Sequence, residues 1–249
     1  MNTKQNVVLI TGGSSGIGLA FAKKFSSEEN KVIIVSRSEQ KLASVKAQFP
    51  QIITEAADIT EEYSIANLAA KYKDVNILVN NAGVHHECSF RNGIEDFSLL
   101  RNEIATNFVA PVMLAEKFIP ELLAKKNAAI INISSYFGIS PKPSAPVYSA
   151  TKAAMRSFSK SLRMQLRGTS IKVFDIVPPI VETPLTAQIN PNVLKMKPEE
   201  LIEIAWKSLI KDKYDVYPGL SKLFYVLSRV HPRYLENKVM KTTLNEKNP

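Results

Sequence analysis

Tyr148 and Lys152 stand four residues apart in YSATK and share one face of any helix that contains them. An ammonium beside a phenol favours the phenolate, so this spacing predicts a phenol pKa drawn down from ~10 toward the working range. A phenol so tuned is a general acid for a carbonyl oxygen that is receiving a hydride. Alone, Tyr-x-x-x-Lys is common and means only a half-exposed helix pair. A second group is TGGSSGIG, Thr11 to Gly18, between an apolar run and a helix-period segment. Backbone N–H groups converge in such a turn, and the helix dipole adds to their attraction for an anion. Gly12 supplies the tight turn, Gly16 lets a pyrophosphate approach the backbone, and Gly18 lets the helix pack closely on the sheet. The spacing is G-x-x-x-G-x-G rather than the commoner G-x-G-x-x-G. A third group, VIIVSRS, has Ser36 where an acid would take the ribose 2′-hydroxyl of NAD, followed by Arg37. A guanidinium there takes a 2′-phosphate through charge-assisted hydrogen bonds, which predicts NADP(H); the bland alternative is a solvated loop arginine.

These residues need a scaffold, and the apolar pattern supplies one. Val7–Ile10, Lys31–Val35, Ile52–Ala57, Ile77–Val79, Ala129–Ile133 and Lys172–Val177 have strand length and are bounded by turn residues. Continuous runs such as VVLI and VIIV suit strands covered on both faces. Amphipathic stretches alternate with them: Ile17–Phe25, Lys41–Phe49, Glu61–Tyr72, Leu99–Ala124 and Tyr148–Arg167. The alternation predicts an α/β fold, a single doubly wound parallel sheet with helices on both faces. INISS ends the fifth strand and NNAG the fourth, so the hydroxyl of Ser135 and the residues Asn80 to Gly83 reach the same carboxyl edge. After about residue 178 prolines interrupt the rhythm, and the segment 179–212, with a helix at Glu199–Ile210, is placed to form a substrate lid. A short strand, Asp215–Tyr217, precedes a basic amphipathic tail, 218–249.

Composition narrows the classes. The 249 residues suit one large domain, and a chain of that length needs neither disulfide nor metal to support its core. Cys88 is the sole cysteine, which excludes an internal disulfide and argues against a cysteine-based zinc site. No apolar run reaches the ~18–20 residues of a membrane span, and MNTKQNVVLITGG reads as a strand entering a turn rather than a signal peptide. A cytoplasmic protein is expected. The net charge of +9, from 32 Lys+Arg against 23 Asp+Glu, admits nucleic acid, an anionic membrane, a phosphorylated ligand or a solubilising surface. No aromatic-and-basic recognition motif supports nucleic acid.

TGGSSGIG, NNAG, Asn107, ISS and YSATK, in that order and spacing, resemble the short-chain dehydrogenase/reductase family over roughly residues 5–190. The resemblance implies a single Rossmann domain of about seven parallel strands that binds NAD(P)(H). It implies Tyr148 as proton donor, with Lys152 as its pKa modulator and nicotinamide-ribose ligand. Ser135, thirteen positions before the tyrosine, becomes the carbonyl-polarising serine, and Asn107 the asparagine of a proton relay to the lysine. It assigns Asp58, with Ile59, to the adenine end, and Asn81, Ala82 and Gly83 to cofactor-side contacts. Ser14, Ser15 and Ile17 of the glycine turn join that set, as do Pro178, Val181 and Thr183, the last meeting the carboxamide. Asn80 is expected to tie neighbouring strands together. Pro178-Pro179 departs from the family's usual Pro-Gly, and a second proline fixes φ and removes an N–H from that loop.

The activity so implied is hydride transfer between NADP(H) and a carbonyl or secondary alcohol of a small molecule, by a homodimer or homotetramer. The alternative from another class is a nucleotide-binding sensor or scaffold without turnover, which the intact catalytic set disfavours. His85-His86-Glu87 looks like a metal cluster, but adjacent loop residues rarely converge on one ion, so no metal is expected. These residues are assigned to the active-site mouth, and Cys88 to an inert loop thiol. Tyr136 and Phe137 wall the substrate pocket or pack in the core. Leu220–Met240 sets Leu223, Phe224, Leu227 and Val230 against Lys222, Arg229, Arg233 and Lys238. A substrate lid, a subunit contact and a helix on an anionic membrane compete for it, and Pro232 tempers the last. The tail and paired prolines are also loosely similar to bacterial oxidoreductases encoded near genes for teichoic-acid D-alanylation.

Overall fold

Val7–Thr11 (β1), Lys31–Ser36 (β2), Ile53–Ala56 (β3), Ile77–Asn80 (β4), Ala128–Ile133 (β5), Ile171–Ile176 (β6) and Asp215–Val216 (β7) form one sheet in the computed structural model of the chain, which describes residues 1–235 and 237. The order is β3-β2-β1-β4-β5-β6-β7, and every neighbouring pair is parallel. In β1, Val8 stands opposite Val32 on one side and Ile77 on the other. The chain winds outward in both directions from β1 and β4, so a crevice opens between their carboxyl ends.

The unbroken apolar runs follow from cover on both faces. Alternate strand residues, Val8, Ile10, Val32, Ile34, Ile131 and Phe174, pack on Gly16–Ser26 (α1), Glu39–Gln48 (α2) and Pro198–Ile210 (α7). There Phe25 meets Trp206 edge to face at 4.8 Å between ring centroids. The other set, Leu9, Ile33, Leu78, Ile130 and Val173, packs on Glu62–Lys71 (α3), Ala110–Leu123 (α5) and Pro146–Gln165 (α6).

Three elements differ from the sequence pattern in ways that touch the site. The single helix expected at Leu99–Ala124 is Phe97–Ile104 (α4), a π-turn over Ala105–Val109, and then α5. Asp96 starts it by accepting Ser98 N at 2.8 Å. The π-turn inserts Asn107 into the buried side, and no residue type announces it. Within 179–212, α7 is a core helix whose Leu201, Ile202, Ala205, Trp206 and Leu209 are buried. Only the stretch from Pro178 to Ile189 borders the crevice, stitched down where Val181 bridges Met196. The tail begins as Leu220–Val230 (α8) and turns at His231, before Pro232. Of the tail 218–249, residues 236 and 238–249, Lys238 and Met240 among them, lie outside the described residues. No helix among the described residues is long and apolar enough to cross a membrane.

Candidate active site

The turn after β1 closes on the end of β4. Gly12 has φ +64°, and a Cβ there would lie 2.9 Å from Ala82 Cα. Asn81 spans the gap, its Nδ2 donating to Thr11 O at 2.9 Å and Gly12 O at 3.2 Å. Thr11 Oγ1 accepts from both Asn81 N and Ala82 N at 3.1 Å. Gly18 is needed for this knot: a Cβ on it would sit 2.4 Å from both Asn81 Nδ2 and Gly12 O. The helix thus packs closely on the β1–β4 junction. Gly13, which the fingerprint does not single out, faces β2, where a Cβ would strike Ile34 at 2.5 Å. Gly18→Ala is expected to cost about 1–3 kcal/mol through overpacking, read as a lower midpoint of urea unfolding. An unchanged midpoint would mean that the knot is slack.

At the end of β2, Ser14 Oγ donates to Ser36 Oγ at 2.9 Å. Arg37 Nη1 lies 3.7 Å from Asp58 Oδ2. Burial pulls the Asp58 pKa upward, but the Thr60 N–H and hydroxyl and the Arg37 charge outweigh it and hold the carboxyl below its usual range. Lys41 borders the same end of the crevice, and its backbone N–H donates to the helix-capping Ser38 Oγ at 3.3 Å. The hydroxyls of Ser14 and Ser38, with Arg37 and Lys41, therefore stand around Ser36, and Asp58 is the acidic residue of this end of the cleft.

At the other end, β5 delivers Ser135 and α6 delivers Tyr148 and Lys152, all buried. Proline at the first position of α6 fits a site that has no N–H to lose. Ser135 Oγ accepts Phe137 N at 3.1 Å and hydrogen-bonds the Tyr148 phenol. Lys152 Nζ donates to Ile133 O at 2.9 Å and stands 5.7 Å from the Tyr148 ring centroid. The expected depression of the phenol pKa is absent here. Burial pushes Tyr148 up to about 12, against the Ser135 hydrogen bond, while burial lowers Lys152 to about 8. The ammonium is spent on a backbone carbonyl rather than on the phenol oxygen, so desolvation wins.

Asn107, on the π-turn, holds one loop and touches α6: Oδ1 accepts Val84 N and Nδ2 donates to Val84 O, each at 2.9 Å, and Nδ2 also donates to Thr151 Oγ1 at 3.3 Å. Gly83 lies between it and the lysine, with a Cβ position 3.3 Å from Asn107 Oδ1 and 3.6 Å from Lys152 Nζ. One turn earlier, fully buried Glu103 repeats the device, its Oε1 accepting His86 N at 3.0 Å while Oε2 has no partner. Together they hold the loop that lays His85 against the Tyr148 ring, 4.9 Å between centroids and nearly perpendicular. The three tempting loop residues diverge, since Glu87 turns to Lys142 at 2.7 Å and Ser144 at 3.0 Å. Sequence reasoning passed over Glu103; its spacing of four from Asn107 was the available signal.

Burial raises the Glu103 pKa to about 7, opposed by the His86 N–H and the Lys152 charge. A carboxyl raised on folding keeps its proton where the unfolded chain, at ~4.3, has lost it. Its contribution to stability is present at low pH and lost as pH rises toward 7. Glu103→Gln should therefore flatten the fall of unfolding free energy between pH 5 and 7. At pH 8 the variant should exceed the parent by about 1–3 kcal/mol in urea unfolding. Parallel pH curves for both proteins would remove that burden from Glu103.

Every residue named from the sequence for catalysis or cofactor contact lines one cleft of about 350 Å³, except Gly18 and Asn107, which stand behind it. Asn80 lies outside it and ties β4 to β5, donating to Asn132 Oδ1 at 2.8 Å. Pro178 and Pro179 form part of the wall, with Pro178 O accepting Tyr136 N at 3.0 Å. Gly16 faces Thr183, whose Cγ2 lies 2.9 Å from the position of an added Cβ.

A sequence-family model described as short chain dehydrogenase matches residues 6–194. The chain belongs to the short-chain dehydrogenase family. Among its relatives, this short-chain dehydrogenase is 44% identical over 189 residues to the uncharacterized oxidoreductase DltE of Bacillus subtilis (strain 168), covering 74% of this chain and 75% of that one. It is 30% identical over 241 residues to a fatty acyl-CoA reductase of Acinetobacter baylyi, covering 93% and 82%. A short-chain dehydrogenase from Sphingobium yanoikuyae, solved with NADPH, superposes with a TM-score of 0.80 at 26% identity, over 95% of both chains. One from Burkholderia cenocepacia J2315, solved with NADP, shares the fold at a TM-score of 0.86 and 22% identity, over 96% of this chain and 99% of that one. The sheet of seven parallel strands matches the architecture that the sequence pattern implied. The chain is thus an oxidoreductase of the short-chain dehydrogenase type.

Proposed function

We propose that this chain reduces a small-molecule carbonyl with NADPH, or oxidises the matching secondary alcohol with NADP. The observation that carries the reading is the continuity of the cleft. It runs from Ser14, Ser36, Arg37 and Lys41 to Ser135, Tyr148 and Lys152. Its size is that of a small-molecule or cofactor site. The glycine turn fits a dinucleotide, since Gly12 and Gly16 both have positive φ and a side chain at either would collide with the cleft wall at Ala82 or Thr183. Ser14, Ser15, Gly16 and Ile17 would hold the pyrophosphate at the start of α1. Asp58 and Ile59 would border the adenine, and Asn81, Ala82, Gly83, Pro178, Val181 and Thr183 the nicotinamide half. Solved relatives of the fold hold NADPH in one case and NADH in another, which supports a nicotinamide dinucleotide here, while Ser36 and Arg37 carry the preference for the phosphorylated form.

The bound cofactor supplies or takes the hydride. The chain's own residues handle the oxygen. Tyr148 keeps its proton at neutral pH, because burial holds its pKa near 12, and so can donate it. Ser135 accepts Phe137 N on its oxygen and keeps its own hydrogen to donate beside the phenol, where it would stabilise developing charge. Lys152 is positive at neutral pH and lies close to its own pKa of about 8, which suits it to return a proton toward Tyr148. Asn107 fixes the Val84 backbone beside it. His85, Tyr136 and Phe137 give the substrate end an aromatic wall. A screen of NADPH oxidation across ketones, aldehydes and 3-oxo acyl chains tests the reading, with Tyr148→Phe as the blank. Turnover with one class and none in the blank is expected; equal rates in the blank would overturn it.

A further inference from the structure

An amphipathic surface helix ordinarily turns its apolar stripe inward; α8 does the reverse. It is seated by Ser221, which is buried, and by two aromatic contacts. Phe224 stacks on Tyr136 at 5.1 Å between centroids, and Tyr225 on Tyr217 at 4.4 Å. At about 100° per residue, Leu220, Leu223, Leu227 and Val230 fall together on another side of the helix. Leu220 is 44% exposed, Leu223 52%, Val226 beside them 48% and Val230 62%, while Leu227 is half-buried. Tyr234, 58% exposed, follows beyond the turn at Pro232. Lys222 and Arg229 run along one edge of the stripe, two helical turns apart, Arg229 with its guanidinium 5.7 Å from the Tyr225 ring centroid, and α8 contains no acidic residue.

We propose that α8 docks this protein on an anionic lipid bilayer, with the leucine stripe entering the headgroup–acyl boundary and Lys222, Arg229 and Arg233 meeting lipid phosphates. Charge complementarity selects this occupant over a second copy of the chain. A two-fold antiparallel pairing of the helix about its midpoint would set Lys222 beside Arg229 of the second copy, with no carboxylate on the helix to offset them. An anionic surface is complementary to both edge cations and to the net charge of +9. Docking has a geometric consequence. Tyr136, adjacent to Ser135 and part of the cleft wall, is the ring on which Phe224 stacks, and Met196, bridged to Val181, lies against Gly219 at the start of α8. The substrate end of the cleft would therefore be held near the lipid surface. This inference does not depend on which nucleotide or carbonyl the cleft takes.

The test uses the whole chain and two vesicle compositions, phosphatidylcholine alone and phosphatidylcholine with about one third phosphatidylglycerol, read by co-sedimentation. Binding is expected to the anionic vesicles only and to weaken as salt rises. The double variants Leu223→Asp/Val230→Asp and Lys222→Glu/Arg229→Glu should each lower the partition at least about tenfold. Their circular dichroism and thermal midpoint should stay those of the parent, since the substituted side chains are exposed. Absence of binding to anionic vesicles would overturn the proposal, and so would variants that bind as the parent does. So would stripe variants that dissociate an oligomer in sedimentation equilibrium while still binding vesicles, because the occupant would then be a second copy.

Discussion

Tyr148→Phe should lower kcat for any confirmed carbonyl substrate by about 10²–10⁴-fold, the span of a lost general acid. Few other protons reach that point. Ser135 can polarise a carbonyl oxygen, but an aliphatic hydroxyl is a far weaker acid than a phenol. His85 lies edge-on to the Tyr148 ring, and burial lowers its pKa, so at neutral pH it is largely uncharged. Phenylalanine preserves the ring packing against His85 and Phe137, so the loss is one oxygen rather than a collapsed wall. NADPH affinity, followed by fluorescence titration, should therefore change less than about threefold, because the phenol is spent in the transition state rather than in binding. Two results would sink this account: a variant that keeps its turnover, or one that loses kcat only through lost cofactor affinity.

The sheet was legible because parallel strands covered on both faces leave the plainest of patterns, short apolar runs between turns. Turn chemistry and helix period then placed the Gly12–Gly18 loop, Ser135, and the Tyr148–Lys152 pair on one edge, and the structure gathers them at one cleft. What escaped depends on depth and direction, which a linear pattern does not carry. Spacing predicts a lowered phenol pKa, yet it says nothing of burial or of Ile133 O, which accepts the lysine's hydrogen bond. Glu103 reads as one more charge on a helix, and only the packing of α4 turns it inward. In α8 the leucines have core-like spacing, but the neighbours of Phe224 and Tyr225 decide which side is inward. The loop 179–212 shows the same limit: its prolines mark irregular chain, while Leu201 to Leu209 at helix period belong to the core.

Ser36→Asp should reverse nucleotide preference, and the expected shift is nearly as large as the catalytic one. The Ser36 hydroxyl sits 2.9 Å from Ser14 Oγ and precedes Arg37, so a carboxylate there would share the space of a 2′-phosphate. Two unit charges 4 Å apart repel by ~4 kcal/mol at an effective dielectric of 20. Arg37 is 54% exposed, and water at such a rim screens much of that energy. About 1.5–3 kcal/mol remains, or a 10- to 100-fold loss of kcat/KM with NADPH. The same carboxylate can accept hydrogen bonds from the 2′-hydroxyl of NADH, so kcat/KM with that cofactor should rise. The ratio of the two should then move by about 10²–10³. Arg37→Ala separates this mechanism from general damage. It removes the cation that now leans on Asp58, so it should weaken NADPH without improving NADH. If Ser36→Asp lowered both cofactors equally, the 2′-phosphate would not lie beside β2, and the basic end of the cleft would need another ligand.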